Sequence, residues 1–363
     1  MKIALVHDYL NEAGGAERVL RVLSEMYPKA PIYVAFAKQG TAKKMLDERG
    51  KRIVESSWGW LLKIGRMYSY LRCCLPWVWK SVDLTAYDLV ITSCSGYIAR
   101  GFRVKPGARV VAYCHTPPRW LYGYDTPTGA NRQWWGKAFM WVVGPFVRYF
   151  DYQSAQRVNT WIANSREVAK RIEKFYRQKA EVVYPPIEMP EVRRETVAKR
   201  GDYYLVVARM VGGKGIREAI AGARKAGVVL KIVGETVGAG IRKEELESRN
   251  VEYLGRVEDK ELAKLYAGAR GLVALSRDED FGMTVVEAMA MGTPVLAFNG
   301  GGYKETVVPG KTGILIEGTD AKTVAEGIRR MEQIKWEREK IGQWAKKFNR
   351  ARFEKEIRGV VGA

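Results

Sequence analysis

An acidic, glycine-containing turn joins two apolar runs and decides the fold: Ser276-Arg277-Asp278-Glu279-Asp280-Phe281-Gly282-Met283-Thr284-Val285-Val286-Glu287. The apolar residues 271–275 before it predict a buried strand, and residues 283–291 predict a helix that stops before Pro294. In open α/β sheets, ligands bind where a strand ends and the next helix begins. The N–H groups at such a helix start favour phosphate or other anionic oxygens. Glu279 in the turn and Glu287 in the helix can therefore face one bound molecule.

Outward from this turn, strand-like and helix-like segments alternate along the 363 residues. Strands are predicted at residues 2–7, 32–36, 88–93, 108–114 and 160–165, and again at 203–208, 228–233, 251–254, 271–275, 294–298 and 313–316. The alternation predicts an α/β protein with parallel sheets and helices on both faces. Pro185-Pro186 and the charged segment 188–200 indicate a linker. We therefore expect domains at 1–187 and 188–340, and a carboxyl-terminal helical segment, 341–363, packed back on the first domain.

The net charge of +21 indicates an anionic partner, either nucleic acid or a membrane surface. Nine of the eleven tryptophans and most of the surplus positive charge lie within residues 1–187. No signal peptide and no membrane-spanning helix are expected. The four cysteines have no metal-ligand spacing and fit a reducing cytoplasm.

Two segments of the first half, residues 58–80 and 134–148, mix tryptophan and other apolar residues with Lys and Arg. Such a mixture suits a segment lying in the lipid headgroup layer, and it equally suits a helix packed on the sheet. Both interpretations stay open for residues 58–80. For residues 134–148 we expect core packing.

Other candidate site residues lie at strand ends. The pair Gly14-Gly15 follows the first strand and lets backbone approach a phosphate, although such a pair is more often just a tight turn and a G-x-G-x-x-G dinucleotide motif is missing. Arg209 and Lys214 follow a strand of the second half and suit a diphosphate, but a solvated basic loop is the simpler explanation. The two histidines, His7 and His115, end strands of one sheet, where a ligand site is expected. This placement favours a function for His115, whereas His7 could equally be a packing residue.

Read together, these segments resemble the retaining glycosyltransferases of family 4, which have the GT-B fold. The resemblance covers nearly the whole chain and is carried by the order and spacing of these motifs: Gly14-Gly15, Asn164-Ser165, Tyr184-Pro185-Pro186, Arg209 with Lys214-Gly215, Leu254-Gly255-Arg256-Val257, Glu279 to Glu287 with the following residues to Val295, and residues 310–313. It implies two Rossmann-like domains that face each other across a cleft, an acceptor-binding domain first and a nucleotide-sugar-binding domain second.

The resemblance also implies roles for single residues. Arg209 and Lys214 would neutralise the donor diphosphate, Glu287 would bind the ribose hydroxyls, and Glu279 would contact the donor sugar. Backbone N–H groups of Phe281, Gly282, Met283 and Thr284 would meet sugar and phosphate, Val257 would meet the base, and Gly14 and Gly15 would complete the donor site. His115 would lie near the transferred sugar, and Arg119 would bind the acceptor.

The segments His115-Thr116-Pro117-Pro118-Arg119 and residues 7–18 look most like bacterial and archaeal mannosyltransferases that build lipid-linked glycans. This similarity implies GDP-mannose as donor, a lipid-linked or saccharide acceptor, and a peripheral location on the cytoplasmic face of the cell membrane. No metal or other cofactor is expected. Asp278-Glu279-Asp280 imitates the Asp-x-Asp of metal-dependent GT-A enzymes, and the family usually has Gly where Asp280 stands, so Asp280 has no assigned role.

Three alternatives remain open. The chain could be a transferase that uses a UDP-sugar, with glucose or N-acetylglucosamine, on a soluble acceptor. From a different class, it could be a basic nucleic-acid-binding protein, although no nucleic-acid module motif is visible. It could also be a nucleotide-sugar-binding regulatory subunit, although the intact charged residues disfavour a decayed site.

Overall fold

A computed structural model describes residues 1–11, 14–38, 46, 50, 52–64, 71–124, 134–188, 201–236 and 250–362. The chain divides into two compact units. Of the described residues, the first unit contains those within 1–124, 134–186 and 353–362, and the second contains those within Ile187–Arg352. No helix in the described part of the chain is both long and apolar enough to cross a membrane.

The first unit is built on a parallel sheet of seven strands in the order β3-β2-β1-β4-β5-β6-β7. The strands are β1 Ile3–His7, β2 Ile32–Val34, β3 Ile53–Glu55, β4 Leu89–Cys94, β5 Arg109–Cys114, β6 Thr160–Ala163 and β7 Ala180–Val182. Strands β1, β4 and β5 are mostly apolar and are buried, except for the first residues of β1 and β5, as expected for a parallel sheet covered on both faces. The strand order changes direction between β1 and β4, so the ends of these two strands form the switch point where ligands bind.

Helices cover both faces of this sheet. The α-helices are α1 Gly15–Met26, α2 Leu75–Lys80, α3 Trp134–Ala155 and α4 Arg166–Tyr176, with 3-10 helices at Gly59–Lys63 and Leu71–Cys74. The last helix of the chain, Arg350–Val361, adds Phe353, Ile357 and Val361 to the core beside Leu5 and Val19. The Arg109 guanidinium also donates to the carbonyls of Val360 and Val361, at 2.8 and 2.7 Å.

The second unit contains a parallel sheet of six strands in the order β10-β9-β8-β11-β12-β13. Its strands are β8 Tyr204–Val207, β9 Leu230–Val233, β10 Val251–Gly255, β11 Gly271–Ala274, β12 Val295–Phe298 and β13 Gly313–Ile316. Its helices are α5 Ile216–Ala226, α6 Asp259–Gly268, α7 Met283–Ala290, α8 Tyr303–Thr306, α9 Ala321–Gln333 and α10 Arg338–Ala345, followed by a 3-10 turn at Lys346–Phe348. Here the switch point lies between β8 and β11.

The predicted α/β class with two Rossmann-like domains is confirmed by these two parallel sheets. The observed boundary lies between Pro186 and Ile187, one residue before the boundary expected after residue 187. The linker expected at 188–200 lies outside the described residues, apart from Glu188. The chain returns to the first unit at Phe353, compared with the expected residue 341. Helix α10 stays in the second unit because the Arg338 guanidinium binds carbonyls there, including that of Gly292 at 3.0 Å.

The expectation of core packing for residues 134–148 is wrong for one face of the helix. Trp134 and Trp141 are 79% and 81% exposed, while Val147 on the opposite face is fully buried. A helix that is apolar all round has two faces that suit a core, and only the fold selects which one is buried. In residues 58–80, Trp79 is buried and Trp58, Trp60 and Trp77 are exposed, while residues 65–70 lie outside the described part.

Candidate functional site

The second unit brings the charged candidates of two loops together at its switch point. Lys214 follows β8 and Glu279 follows β11, which are neighbours in the sheet. The Lys214 Nζ atom lies 2.8 Å from the Glu279 Oε2 atom, with the side chains 24% and 17% exposed. Gly215 permits this approach, because its φ is +70° and a Cβ there would lie 2.5 Å from the Cβ of Leu275. The structure therefore joins two residues that lie 65 positions apart in the chain.

The turn that carries Glu279 rests on a glycine-rich loop that the sequence interpretation left without a role. The N–H group of Gly302 donates to the Glu279 carbonyl at 2.9 Å. A Cβ at Gly301 would lie 2.2 Å from that same carbonyl oxygen, so only glycine fits there. The Tyr303 hydroxyl lies 3.4 Å from Glu279 Oε2. The triplet Gly300-Gly301-Gly302 is the feature of the sequence that could have identified this loop. Its lack of side chains allows close backbone contact with the turn.

Helix α7 begins directly after this turn. Gly282 precedes its first residue with a φ of +89° and accepts the first helical hydrogen bond from Val285 at 3.0 Å. Phe281 is buried against the Phe348 ring, with centroids 5.5 Å apart, and this contact anchors the helix start. Met283 and Thr284 are partly buried. Their N–H groups belong to the first turn of the helix, which has no carbonyl of its own to bind them and favours anionic oxygens.

Glu287 lies one turn into α7 and is 2% exposed. The Tyr266 hydroxyl at the end of α6 donates to its Oε2 atom at 2.9 Å. The buried Thr293 hydroxyl donates to the carbonyl of Tyr266, which fixes this part of the helix end. Tyr266 was not identified from the sequence, since no local pattern connects it to a residue 21 positions later.

Two further candidates lie on the same edge of the sheet. Arg209 is exposed in the loop after β8, where the Met210 N–H donates to the Glu235 carbonyl at 2.8 Å. Val257 is partly buried after β10, two strands from β8. Beside it, Arg256 pairs with Glu235 at 2.8 Å on the surface. The structure thus places Arg209 and Val257 at strand ends, as the positions of their motifs predict.

In the first unit, Gly14 and Gly15 start helix α1. The Gly14 N–H donates to Glu17 Oε2 at 2.9 Å, which caps the helix from its third residue. A Cβ at Gly14 would lie 2.9 Å from that oxygen, so the cap and the glycine depend on each other. Burial disfavours the Glu17 carboxylate, but His7 and the Gly14 N–H outweigh it and lower the pKa of Glu17.

A chain of polar side chains crosses the switch point of the first unit. Glu17 Oε1 lies 3.7 Å from His7 Nε2, His7 Nδ1 lies 3.0 Å from the Ser93 hydroxyl, and that hydroxyl lies 2.8 Å from His115 Nε2. A serine hydroxyl carries one proton, so Ser93 can donate to only one of the two imidazoles and must accept from the other. Ser93 and Glu17 were missed from the sequence, and His7 was left open.

Burial, and then the neighbouring His7, lower the pKa of His115 to about 3, so its imidazole is neutral at neutral pH. The Asn164 side-chain amide donates to the His115 carbonyl at 2.9 Å, and the His115 N–H donates to the Cys94 carbonyl at 2.9 Å. Asp8, next to His7, accepts N–H groups of Ser95 and Ala99 at 2.9 and 3.0 Å. Burial nevertheless raises the pKa of Asp8.

Arg119 lies in the turn that follows His115. It is partly buried, and its carbonyl accepts from the N–H groups of Tyr122 and Tyr124 at 3.2 and 3.1 Å. The adjacent Trp120 indole donates to the Gly96 carbonyl at 2.8 Å, which ties this turn to the loop after β4. The first unit therefore groups His115 and Arg119 on one connected loop.

Family comparisons match both halves of the chain. A family model described as Glycosyltransferase Family 4 matches residues 13–189, and one described as Glycosyl transferases group 1 matches residues 189–348.

Curated relatives are similar over part of their length. An uncharacterised glycosyltransferase of Methanocaldococcus jannaschii is 29% identical over 221 residues, which is 59% of this chain and 61% of that protein. A D-inositol 3-phosphate glycosyltransferase of Streptomyces avermitilis is 34% identical over 114 residues, 29% of this chain and 25% of that protein. The matched region thus spans less than two thirds of each relative.

Solved structures match the whole chain. The structure of HepE from Anabaena in complex with UDP and glucose covers 100% of both chains, with a TM-score of 0.68 and 17% identity. The sucrose-phosphate synthase of Thermosynechococcus elongatus covers 98% of this chain and 97% of its own, with a TM-score of 0.70 and 18% identity. At these identities the likeness shows a shared fold.

Proposed function

The chain belongs to the family 4 glycosyltransferases of GT-B fold, and we propose that it transfers a hexose from a nucleotide sugar to a lipid-linked or glycan acceptor. The observation that carries this proposal is the ion pair of Lys214 and Glu279 at the switch point of the second sheet, beside the start of helix α7. A fixed cation, a fixed carboxylate and a helix N-terminus suit a ligand that combines a diphosphate with a sugar.

Lys214 is proposed to bind the donor diphosphate together with Arg209. An ammonium group has three donors, so Lys214 can keep its contact with Glu279 and still donate to a phosphate oxygen. As the bond between the sugar and the diphosphate breaks, negative charge grows on the leaving phosphate, and a preorganised cation stabilises it. Glu279 then accepts hydrogen bonds from hydroxyl groups of the sugar, next to the phosphate that Lys214 binds.

The remaining donor contacts follow from the neighbouring elements. Glu287 is proposed to accept the ribose hydroxyls, and the Tyr266 hydroxyl holds that carboxylate in position. Backbone N–H groups of Phe281, Gly282, Met283 and Thr284 would meet phosphate and sugar oxygens. Val257 would contact the base from the end of β10. Because the carboxylate is already oriented before the ribose arrives, the entropic cost of binding is reduced.

We propose that transfer retains the configuration at the sugar carbon. The bond from that carbon to the phosphate oxygen breaks, a bond to the acceptor oxygen forms on the same face, and the acceptor proton moves to the leaving phosphate. The first unit would bind the acceptor through Arg119 and His115. Because the pKa of His115 is lowered to about 3, its imidazole is neutral and can hydrogen-bond a sugar hydroxyl without adding a positive charge. No metal is assigned to this step.

GDP-mannose is the proposed donor, with a UDP-sugar as the second candidate, since HepE was solved with UDP and glucose. Thermal unfolding with a panel of nucleotide sugars tests both. GDP-mannose should raise the Tm most, and GDP should raise it more than GMP because GDP supplies the diphosphate. A larger shift with UDP-glucose would move the assignment to the second donor. If no nucleotide sugar shifted the Tm and none were hydrolysed, the proposed function would be wrong.

The proposed location is the cytoplasmic face of the cell membrane, where a lipid-linked acceptor is available. Support comes from the exposed Trp134 and Trp141 of helix α3 and from the net charge of +21.

A further inference from the structure

One side of helix α3 carries large apolar side chains that are exposed. We define the aromatic face as Trp134, Trp141, Val142, Phe146, Tyr149 and Tyr152 of α3 together with Trp77 of α2. Trp134, Trp141, Val142 and Tyr149 are 79%, 81%, 68% and 67% exposed. The Trp77 and Phe146 rings lie 5.8 Å apart, so the two helices present one continuous surface. Large contiguous apolar patches of this kind mark interaction sites.

The opposite side of the same helix is packed in the core of the first unit. Val147 is fully buried there, and Gly144 and Phe150 are also buried. The positions 134, 138, 141, 145, 149 and 152 recur at three- and four-residue intervals and are all exposed. Helix α3 is therefore apolar on both sides, whereas an ordinary surface helix has a polar outer face.

The charges of the helix are also one-sided. Lys137 and Arg148 are exposed, and both lie on the helix that carries the aromatic face. The only acidic residue of α3, Asp151, is buried and pairs with the buried Arg100. It also accepts from the Tyr122 hydroxyl at 2.7 Å. The outer surface of α3 thus combines aromatic rings with positive charge and carries no exposed carboxylate of its own.

We propose that the aromatic face lies in the headgroup layer of an anionic lipid bilayer and docks the enzyme there. Tryptophan and tyrosine rings suit the boundary between headgroups and acyl chains, and Lys137 and Arg148 suit anionic headgroups. The inner side of α3 stays in the protein core, so the helix lies along the membrane surface. The proposal deepens the proposed function, because a lipid-linked acceptor is found at that surface.

Charge complementarity selects lipid over a second copy of this chain. A symmetric pair of aromatic faces would bring two sets of Lys137 and Arg148 together without an exposed carboxylate on α3 to balance them. An anionic bilayer accepts the same rings and neutralises both cations.

Flotation of the full chain with vesicles tests this inference. The chain should float with vesicles of phosphatidylcholine and phosphatidylglycerol at low salt, and much less with phosphatidylcholine alone. The double variant Trp141→Gln/Tyr149→Gln should bind the anionic vesicles at least about tenfold more weakly, a loss of about 1.4 kcal/mol. The matched control is Trp60→Gln, which removes a 58% exposed tryptophan of the 3-10 helix Gly59–Lys63 and should leave binding nearly unchanged.

Two further measurements distinguish the outcomes. Hydrolysis of the nucleotide sugar in detergent-free solution should be the same in the double variant, so loss of docking is separable from loss of the proposed function. Light scattering reports the oligomeric state. Equal vesicle binding by wild type and double variant would overturn the inference, as would failure of the wild type to bind. A wild-type dimer that the double variant converts to monomers would assign the face to a second copy.

Discussion

The substitution Lys214→Ala tests whether Lys214 acts as a catalytic cation or only forms a structural ion pair. Lys214 Nζ lies 2.8 Å from Glu279 Oε2, and the two side chains are 24% and 17% exposed. An ion pair with this much solvent access contributes about 0.2–1 kcal/mol to stability. The Tm should therefore fall by about 2–4 °C at most for a unit of this size.

The expected effect on turnover is much larger. Loss of one preorganised group that stabilises charge in a transition state costs about 2.7–4 kcal/mol, or about 10²- to 10³-fold in kcat. Alanine leaves the charge of the departing diphosphate without this cation, so kcat should fall by at least about 100-fold. Steady-state kinetics with the donor found by the thermal screen, together with thermal unfolding of the same preparations, measures both quantities.

Lys231→Ala is the matched control. Lys231 is 25% exposed and lies 3.0 Å from Glu252 on the same sheet, but on strands β9 and β10 rather than in the switch-point loops. It should show a similar small change in Tm and near wild-type turnover. Retention of more than about a third of wild-type kcat by Lys214→Ala would refute the diphosphate assignment, since the expected loss is over about 100-fold. A parallel collapse of Tm would show that the ion pair is structural.

Three other predictions address the remaining groups. Glu287→Gln keeps a hydrogen-bond partner for the Tyr266 hydroxyl but removes the carboxylate. The KM for the donor should therefore rise about tenfold or more, with a smaller change in kcat. An unchanged KM would exclude ribose binding by Glu287. The pKa of His115 is lowered from 6.5 to about 3 by folding. Between these two pH values the unfolded chain therefore binds a proton at His115 and the folded chain does not. Stability should consequently fall as pH drops from about 6.5 towards 3. Urea unfolding at several pH values should show a flatter slope for His115→Asn, and an identical slope would contradict this. EDTA should leave transferase activity intact; loss on chelation with recovery on adding Mn²⁺ would show that Asp278 and Asp280 bind a metal.

Much of the second unit could be predicted because its site is assembled from short, continuous segments. The turn at Glu279 and the helix that carries Glu287 are neighbours in the chain, so strand, turn and helix periodicity placed them together. Arg209 and Lys214 follow a predicted strand directly. Parallel strands bring their carboxyl ends to one edge, and this general rule was sufficient to group the loops.

The contacts between loops required the tertiary structure. The ion pair of Lys214 and Glu279 forms because β8 lies next to β11. Local sequence patterns do not predict the order of strands in a sheet. The same holds for Tyr266 and Glu287, which lie on different helices. In the first unit, the register of β1 and β4 determines the contacts of the histidines. His7 lies opposite Ser93, and this pairing places the serine hydroxyl between the imidazoles of His7 and His115.

By itself, the sequence determined the α/β class, the family and the candidate residues, because these follow from the order and spacing of local motifs. Only the tertiary structure decided which side of residues 134–155 faces solvent. Both sides of this helix are apolar, so burial in the core would have been favourable for either one. The inner side carries Asp151, which pairs with the buried Arg100; with the other side turned inward, the buried guanidinium would lose this carboxylate, and an unpaired buried charge is costly.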